Sequence, residues 1–380
     1  MEGKRKLCIV ASAPMGIVSF WRTNIEKISS LFDVYVVANF DDPSVFEGLD
    51  IKGCKSIDIE RRPSVKSSLA AARQLRKYFK SEKFDGFISM SSNASLVAAI
   101  AGRMAHIPFR ARVFTGQVWA HKKGLARFFF KSLDRFTVAL NNHFLVDGRA
   151  QQEYLIANGI LKEGQSVVLA NGSICGVDVK KFAPNPLKRQ EERSRLGFGD
   201  SDVVFTFMGR INRDKGTYEL LDAFNLLAKD HDNARLLLIG GDEGINDATF
   251  DKYDNIRLHD NLICYGYTKT PYWALQAGDV FCLPSYREGF GMSVIEAASL
   301  AMPVIASDAY GLRDSFVDGR TGLTCKVKDV QTLYDCMKFF YDNPDTGREY
   351  GEAGRQRIVD EFSMELVSDA WLDYFDKNIK

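Results

Sequence analysis

The chain is predicted to be an α/β protein made of two doubly wound parallel-sheet domains that face each other across a central cleft. Three observations carry that expectation. Short, continuous apolar runs alternate with helical stretches along the chain, the pattern of parallel strands covered on both faces. The alternation breaks once, at residues 171–202 (NGSICGVDVKKFAPNPLKRQEERSRLGFGDSD), where Gly, Pro and charged residues dominate as in an interdomain linker. At 380 residues, the chain also exceeds what one hydrophobic core usually organises. Two Rossmann-like domains, 1–172 and 173–361, are therefore expected, with 362–380 as a C-terminal helix returning to the first.

In the first domain, strands are expected at Leu7–Ala13, Val34–Asn39, Ser56–Ile59, Gly86–Met90, Arg110–Thr115 and Phe144–Val146. Helical stretches fall between them at Ser19–Leu31, Val65–Phe79, Leu96–Ala105, Leu125–Val138 and Ala150–Ala157. Pro14, Met15 and Gly16 read as a turn. The second series starts with strand Val203–Met208 and helix Lys215–Ala228. Strands Arg235–Ile239 and Ile263–Tyr265 follow, then helix Pro271–Ala277 and strand Val280–Leu283. Helix Met292–Leu300, strand Pro303–Ala306 and helices Val330–Tyr341, Arg348–Val359 and Met364–Phe375 complete it. In such sheets ligands bind beyond the carboxyl ends of the strands, so residues 11–19 and 114–121 should face the cleft.

Composition narrows the class. Hydrophobic residues make up 46% and charged residues 26%, an ordinary soluble-protein balance. No apolar run reaches 18 residues, so no transmembrane helix is expected. The basic-then-apolar start MEGKRKLCIVASAP is too short for a signal peptide and reads as a first strand. Seven scattered cysteines without a CxxC pair fit a reducing compartment and offer no zinc site. The net charge of +1 hides an asymmetry: residues 1–170 hold 25 Lys and Arg against 15 Asp and Glu, and residues 171–380 hold 25 against 34. The basic half is expected to meet something anionic. Nucleic acid is disfavoured as the partner, because no RNA- or DNA-binding module is recognisable and the acidic half would repel a backbone. A dehydrogenase is disfavoured by the lack of a GxGxxG fingerprint at Ala13–Gly16.

The chemistry concentrates in Pro284–Gly322, PSYREGFGMSVIEAASLAMPVIASDAYGLRDSFVDGRTG. A buried strand ends at Pro284. Gly289, Phe290 and Gly291 form a loop, and a helix opens at Met292 and Ser293, whose terminus offers N–H groups and a positive dipole end to a phosphate. Glu288 precedes that terminus and Glu296 follows it by about 7.5 Å along the axis, one carboxylate on each side of a bound diphosphate. Met208-Gly209-Arg210 ends another strand, and Lys215 stands five residues beyond Arg210; this pair can neutralise a diphosphate without a metal. The plain alternatives are an ordinary βα unit with surface glutamates and a structural salt-bridge set. Asp200-Ser201-Asp202 is formally a D-x-D but lies before a strand, so no metal site and no cofactor are expected.

The combination GR-x4-KG, PS-x2-EGFG-x4-EA and a following PVIAS resembles the retaining family 4 glycosyltransferases of the GT-B fold, strongly over about residues 203–325 and more loosely elsewhere. The two glutamates have that family's E-x7-E spacing. The resemblance implies that Arg210 and Lys215 bind the donor diphosphate, that Glu288 and the following backbone hold the donor sugar, and that Glu296 holds the ribose. Met292 and Ser293 would meet phosphate, and Tyr265 and Tyr267 would border the base. It also implies a UDP-sugar donor, an N-acetylhexosamine among the options, and a polyprenyl-diphosphate-linked glycan acceptor in polysaccharide, O-antigen, capsule or glycoprotein-glycan synthesis. One departure stands out: many members carry a histidine where this chain has Thr115, and the nearest here is His121.

The resemblance further implies that the first domain meets the acceptor, with Gly16, Arg22, Thr115, Gly116, His121, Lys122 and Lys123 as the candidate contacts. The stretch 121–140, HKKGLARFFFKSLDRFTVAL, places Leu125, Phe128, Phe129, Leu133 and Phe136 on one helical face, flanked by five cations. Such a helix either packs its apolar face into the core or lies on an anionic membrane surface. The second reading makes the chain a cytoplasmic protein held peripherally on the inner face of the cytoplasmic membrane. The alternatives are a non-catalytic sugar-nucleotide-binding scaffold and a transferase acting on a soluble acceptor.

Overall fold

Leu7, Cys8, Ile9 and Val10 are all fully buried, as a central strand covered on both faces requires. They belong to strand β1 (Arg5–Val10) of the computed structural model, which describes residues 3–60, 64–120, 122–243 and 261–380. The chain divides into one unit of Met1–Gly176 with Met364–Lys380 and a second of Val177–Ser363.

In the first unit β1 is joined by β2 (Phe32–Ala38), β3 (Gly53–Ser56), β4 (Gly86–Ser89), β5 (Phe109–Phe114) and β6 (His143–Val146). Every pairing is parallel and the order is β3-β2-β1-β4-β5-β6. Helices α1 (Pro14–Phe20), α2 (Arg22–Ile28), α3 (Val65–Glu82), α4 (Ser92–Ala105), α5 (Gly124–Leu140) and α6 (Arg149–Ala157) connect them. In the second unit α7 (Pro186–Leu196) leads into β7 (Val203–Met208), α8 (Thr217–Ala228), β8 (Ala234–Ile239) and β9 (Leu262–Gly266). Then come α9 (Pro271–Ala274), β10 (Val280–Leu283), α10 (Met292–Ser299), β11 (Val304–Ser307), β12 (Gly322–Cys325), α11 (Val330–Asp342) and α12 (Pro344–Glu361). This sheet is also parallel, in the order β12-β11-β10-β7-β8-β9. Strand order therefore reverses between β1 and β4 in one unit and between β7 and β10 in the other.

The final helix α13 (Met364–Asn378) is part of the first unit. The Trp371 ring lies 4.7 Å from that of Trp21, and its indole N–H donates to the Ile174 carbonyl at 2.9 Å. Both tryptophans are buried.

Several elements differ from the sequence expectation. The turn at Pro14–Gly16 is the first turn of α1, because Pro14 occupies the helix's opening positions and has no N–H to lose there. The single helix expected at Ser19–Leu31 is two, broken at buried Trp21. The strand expected at Ser56–Ile59 ends at Ser56, although Ile57 and Ile59 remain buried beyond it. The linker contains α7, capped by the Asn185 side chain accepting from Lys188 N–H and closed by Gly197 in the left-handed region. Strand β12 is absent from the sequence reading because GLTC is short and half polar. Lys215 closes a 3-10 turn, Arg213–Lys215, and α8 begins only after Gly216.

Candidate active site

The central strands β7 and β10 pair directly, Val280 with Phe205 and Phe281 with Thr206. Their carboxyl ends lie side by side at the point where strand order reverses, where open α/β sheets take ligands. The loop after β7 carries Gly209, Arg210 and Lys215; the loop after β10 carries Ser285 to Gly291.

Five links knit these loops together. Gly216, at φ +71°, lets the chain pass so close to Pro284 that a Cβ there would sit 2.1 Å from the Pro284 carbonyl oxygen. The Tyr286 N–H donates to the Asp214 carbonyl at 2.9 Å. The Tyr286 hydroxyl donates to Glu219 at 2.7 Å, and burial followed by that carboxylate pushes the phenol up to about 12. Arg287 pairs with Asp214 at 3.1 Å. Finally, the Lys215 ammonium pairs with Glu288 Oε1, with side chains only 19% and 13% exposed. Ser285 Oγ donates to the same oxygen at 2.8 Å.

The backbone after Glu288 rests on the 3-10 turn Tyr310–Leu312. A Cβ on Gly311 would lie 2.1 Å from the Glu288 carbonyl oxygen and 2.7 Å from that of Gly289. Phe290 and Gly291 are buried. Gly291, at φ +86°, opens α10, and no side chain caps that terminus. Met292 and Ser293 form its first turn. Glu296 sits one turn further, half-buried; among the described residues its carboxyl has no hydrogen bond or ion pair, and burial pushes it up to about 8.

Arg210 lies at the other side of the β7 loop, exposed and paired with Glu243 at 2.8 Å; Asn212 donates to the same Glu243 oxygen at 3.3 Å. Lys215 and Glu288 are thus brought into contact, whereas Arg210 is held by a third residue. Tyr265 belongs to β9 and lies under the Arg195 guanidinium, 4.8 Å from its ring centre; burial and then Glu192 raise its phenol. Tyr267 follows that strand, exposed. Asp202 pairs with Arg235 at 3.1 Å and accepts the Gly199 N–H at 2.8 Å.

On the acceptor side, Gly16 lies within α1, where an added Cβ would stand 3.8 Å from the Met90 sulfur. Arg22 donates to the Gly48 carbonyl at 2.9 Å, which turns it toward the 43–48 loop. The Thr115 carbonyl accepts from Gln151 at 3.1 Å; Gly116 follows it at the end of β5. Lys122 lies over the Phe130 ring at 5.1 Å, and Lys123 precedes α5. His121 lies outside the described residues. Sequence reasoning missed the Ser12–Ser91 hydroxyl pair at 2.9 Å beyond β1 and β4, where Ser91 adopts φ +67°. It also missed Asp147 after β6, which is buried, has one carboxyl oxygen unpartnered among the described residues, and is raised to about 8 by burial.

Helix α5 inverts the usual burial. Its buried residues are Asp134 and Thr137, while Leu125 is 88%, Phe128 66%, Phe129 55% and Phe136 50% exposed. Asp134 ties the helix inward through Arg112 and the Trp119 indole N–H, both at 2.6 Å. Arg127 and Lys131 stack on Trp119 at 5.4 and 5.2 Å. No helix among the described residues is long and apolar enough to cross a membrane.

Two units, each built on a six-stranded parallel sheet, give the chain the architecture of the GT-B glycosyltransferases. The family profile described as "Glycosyl transferases group 1" matches residues 188–357, and "Glycosyl transferase 4-like domain" matches 16–172. The chain belongs to the family 4 glycosyltransferases. It is 25% identical over 335 residues to the capsular polysaccharide biosynthesis glycosyltransferase CapM of Staphylococcus aureus, spanning 88% of this chain and 87% of that one. It is 24% identical over 280 residues, 73% of this chain and 71% of the other, to an Escherichia coli enzyme named UDP-Gal:alpha-D-GlcNAc-diphosphoundecaprenol alpha-1,3-galactosyltransferase. Among solved structures, Anabaena Alr3699/HepE in complex with UDP superposes with TM-score 0.80 at 17% identity, covering 98% of this chain and all of that one; at that identity the likeness establishes the fold.

Proposed function

We propose that this glycosyltransferase moves a sugar from a UDP-sugar to a polyprenyl-diphosphate-linked glycan with retention of anomeric configuration. Hexoses and N-acetylhexosamines are the candidate sugars, and the place of action is the inner face of the cytoplasmic membrane. The observation that carries the donor side is the Lys215–Glu288 pair at the β7/β10 switch point, beside the terminus of α10. Breaking a glycosyl–phosphate bond leaves negative charge on the departing diphosphate. Lys215, Arg210 and the α10 N-terminus meet that charge with preorganised positive potential. Gly289 to Ser293 give the chain its close approach to phosphate, and Glu296 receives the ribose hydroxyls. Glu288 anchors the donor sugar; the acceptor attacks from the face the diphosphate leaves, and a phosphate oxygen takes the acceptor's proton.

The acceptor reading draws on two things: relatives named for diphosphoundecaprenol acceptors, and α5, whose exposed phenylalanines and flanking cations suit an anionic bilayer surface. Gly16, Arg22, Thr115, Gly116, Lys122 and Lys123 are the proposed acceptor contacts. A panel of nucleotide sugars, scored by nucleoside-diphosphate release with membrane extract as acceptor source, tests the activity. Release from a UDP-sugar that depends on the extract and survives a chelator supports the proposal. No release from any donor contradicts it.

A further inference from the structure

We propose that Ser285, fixed in turn by Ser307, is a positioning residue that commits Glu288 Oε1 and reserves Oε2 for the donor sugar. The inference rests on the reading of Glu288 as the sugar's anchor. Ser285 is fully buried just beyond β10, and Ser307 is buried at the end of β11. The Ser307 hydroxyl donates to the Ser285 carbonyl, and the Ser285 hydroxyl donates to Glu288 Oε1 at 2.8 Å. The Lys215 ammonium takes the same oxygen.

Two donors from different elements therefore converge on one carboxylate oxygen. Among the described residues, Oε2 has no partner. An ionised carboxylate only accepts hydrogen bonds, so Oε2 keeps its lone pairs for a hydroxyl donor, which a sugar supplies. A glutamate held by Lys215 alone could swing with that flexible amine. A second, rigid donor on a buried strand end fixes the carboxylate plane, and with it the direction in which Oε2 points. Hydrogen bonds to charged groups have the strength to do this.

The test uses the full chain as wild type, Ser285→Ala, Glu288→Ala and the double variant. Each is read for kcat, thermal melt, and separate affinities for the UDP-sugar and for UDP. Ser285→Ala is expected to lower kcat roughly 10- to 100-fold and to erase the affinity advantage of the UDP-sugar over UDP, with UDP affinity unchanged. In the Glu288→Ala background it should change the sugar-specific affinity less than about twofold, the non-additivity of directly coupled residues. Ser307→Ala should show a weaker form of the same pattern. An active wild type whose Ser285→Ala variant keeps kcat and the sugar advantage overturns this inference alone, as does an equal loss with and without Glu288. A wild type that uses no donor overturns both this inference and the donor-site reading.

Discussion

Replacing Gly311 with Ala tests whether the loop carrying Glu288 is built to a fixed height. The added Cβ would lie 2.1 Å from the Glu288 carbonyl oxygen, 2.6 Å from its carbon and 2.7 Å from the Gly289 oxygen. Those atoms are backbone, so no side-chain rotation relieves the clash, and the loop must rise by more than about 1 Å to reach an ordinary contact of roughly 3.5 Å. Overpacking of this kind costs about 1–3 kcal/mol of stability, which a two-unit chain survives. A displacement of about 1 Å at a reacting centre costs on the order of 100-fold in rate. The expectation is therefore a folded variant with a modestly lowered melt and kcat reduced roughly 100-fold, measured as nucleoside-diphosphate release with saturating donor. Activity within about twofold of wild type would refute the claim that this backbone positions Glu288.

Other outcomes follow from the same geometry. On the proposed anchoring role of Glu288, Glu288→Gln should reduce turnover without accumulating a glycosylated protein; an intact-mass adduct on residue 288 in any variant would identify a nucleophile instead. Burial pushes the Glu296 carboxyl up to about 8, above its ordinary value near 4.3. Between those values the folded chain holds a proton that the unfolded chain has lost, so this group's stabilising contribution, complete below the ordinary value, falls as pH rises through the folded one. Glu296→Gln should therefore gain melting temperature relative to wild type between about pH 5 and about pH 8; a pH-independent difference would refute it. Asp147 titrates over the same window but is common to both chains. A triple Leu125→Ser, Phe128→Ser, Phe129→Ser variant should lose flotation with anionic liposomes while its melt is unchanged, since these side chains pack on little of the protein. Equal flotation would remove α5 from the membrane contact.

Much of the fold was legible because parallel strands buried on both faces are continuous apolar runs. The reading of β7 and β10 matched residue for residue, VVFTFM and VFCL being bounded by Gly209 and Pro284. The reading failed where local pattern is weak. Strand β12 is four residues long. Helix α7 is polar around most of its surface, and only its caps, Asn185 and Gly197, betray it.

At the site, the motif residues were legible but their partners were not. Tyr286 and Glu219 lie 67 residues apart and Lys215 and Glu288 73; what joins them is the adjacency of β7 and β10, which no local window contains. Helix α5 shows the limit of periodicity most plainly. Its apolar stripe was visible, but whether that stripe faces core or solvent depends on Arg112 and Trp119 drawing Asp134 inward from other elements.

The most direct measurement is calorimetric titration of UDP into the wild-type chain and into Lys215→Met, with thermal melts run alongside. Saturable binding by the wild type, lost or strongly weakened in a variant that still melts cooperatively, is the result expected of a donor site built at the β7/β10 switch point. Undiminished binding by Lys215→Met, or no UDP binding by the wild type, would contradict it.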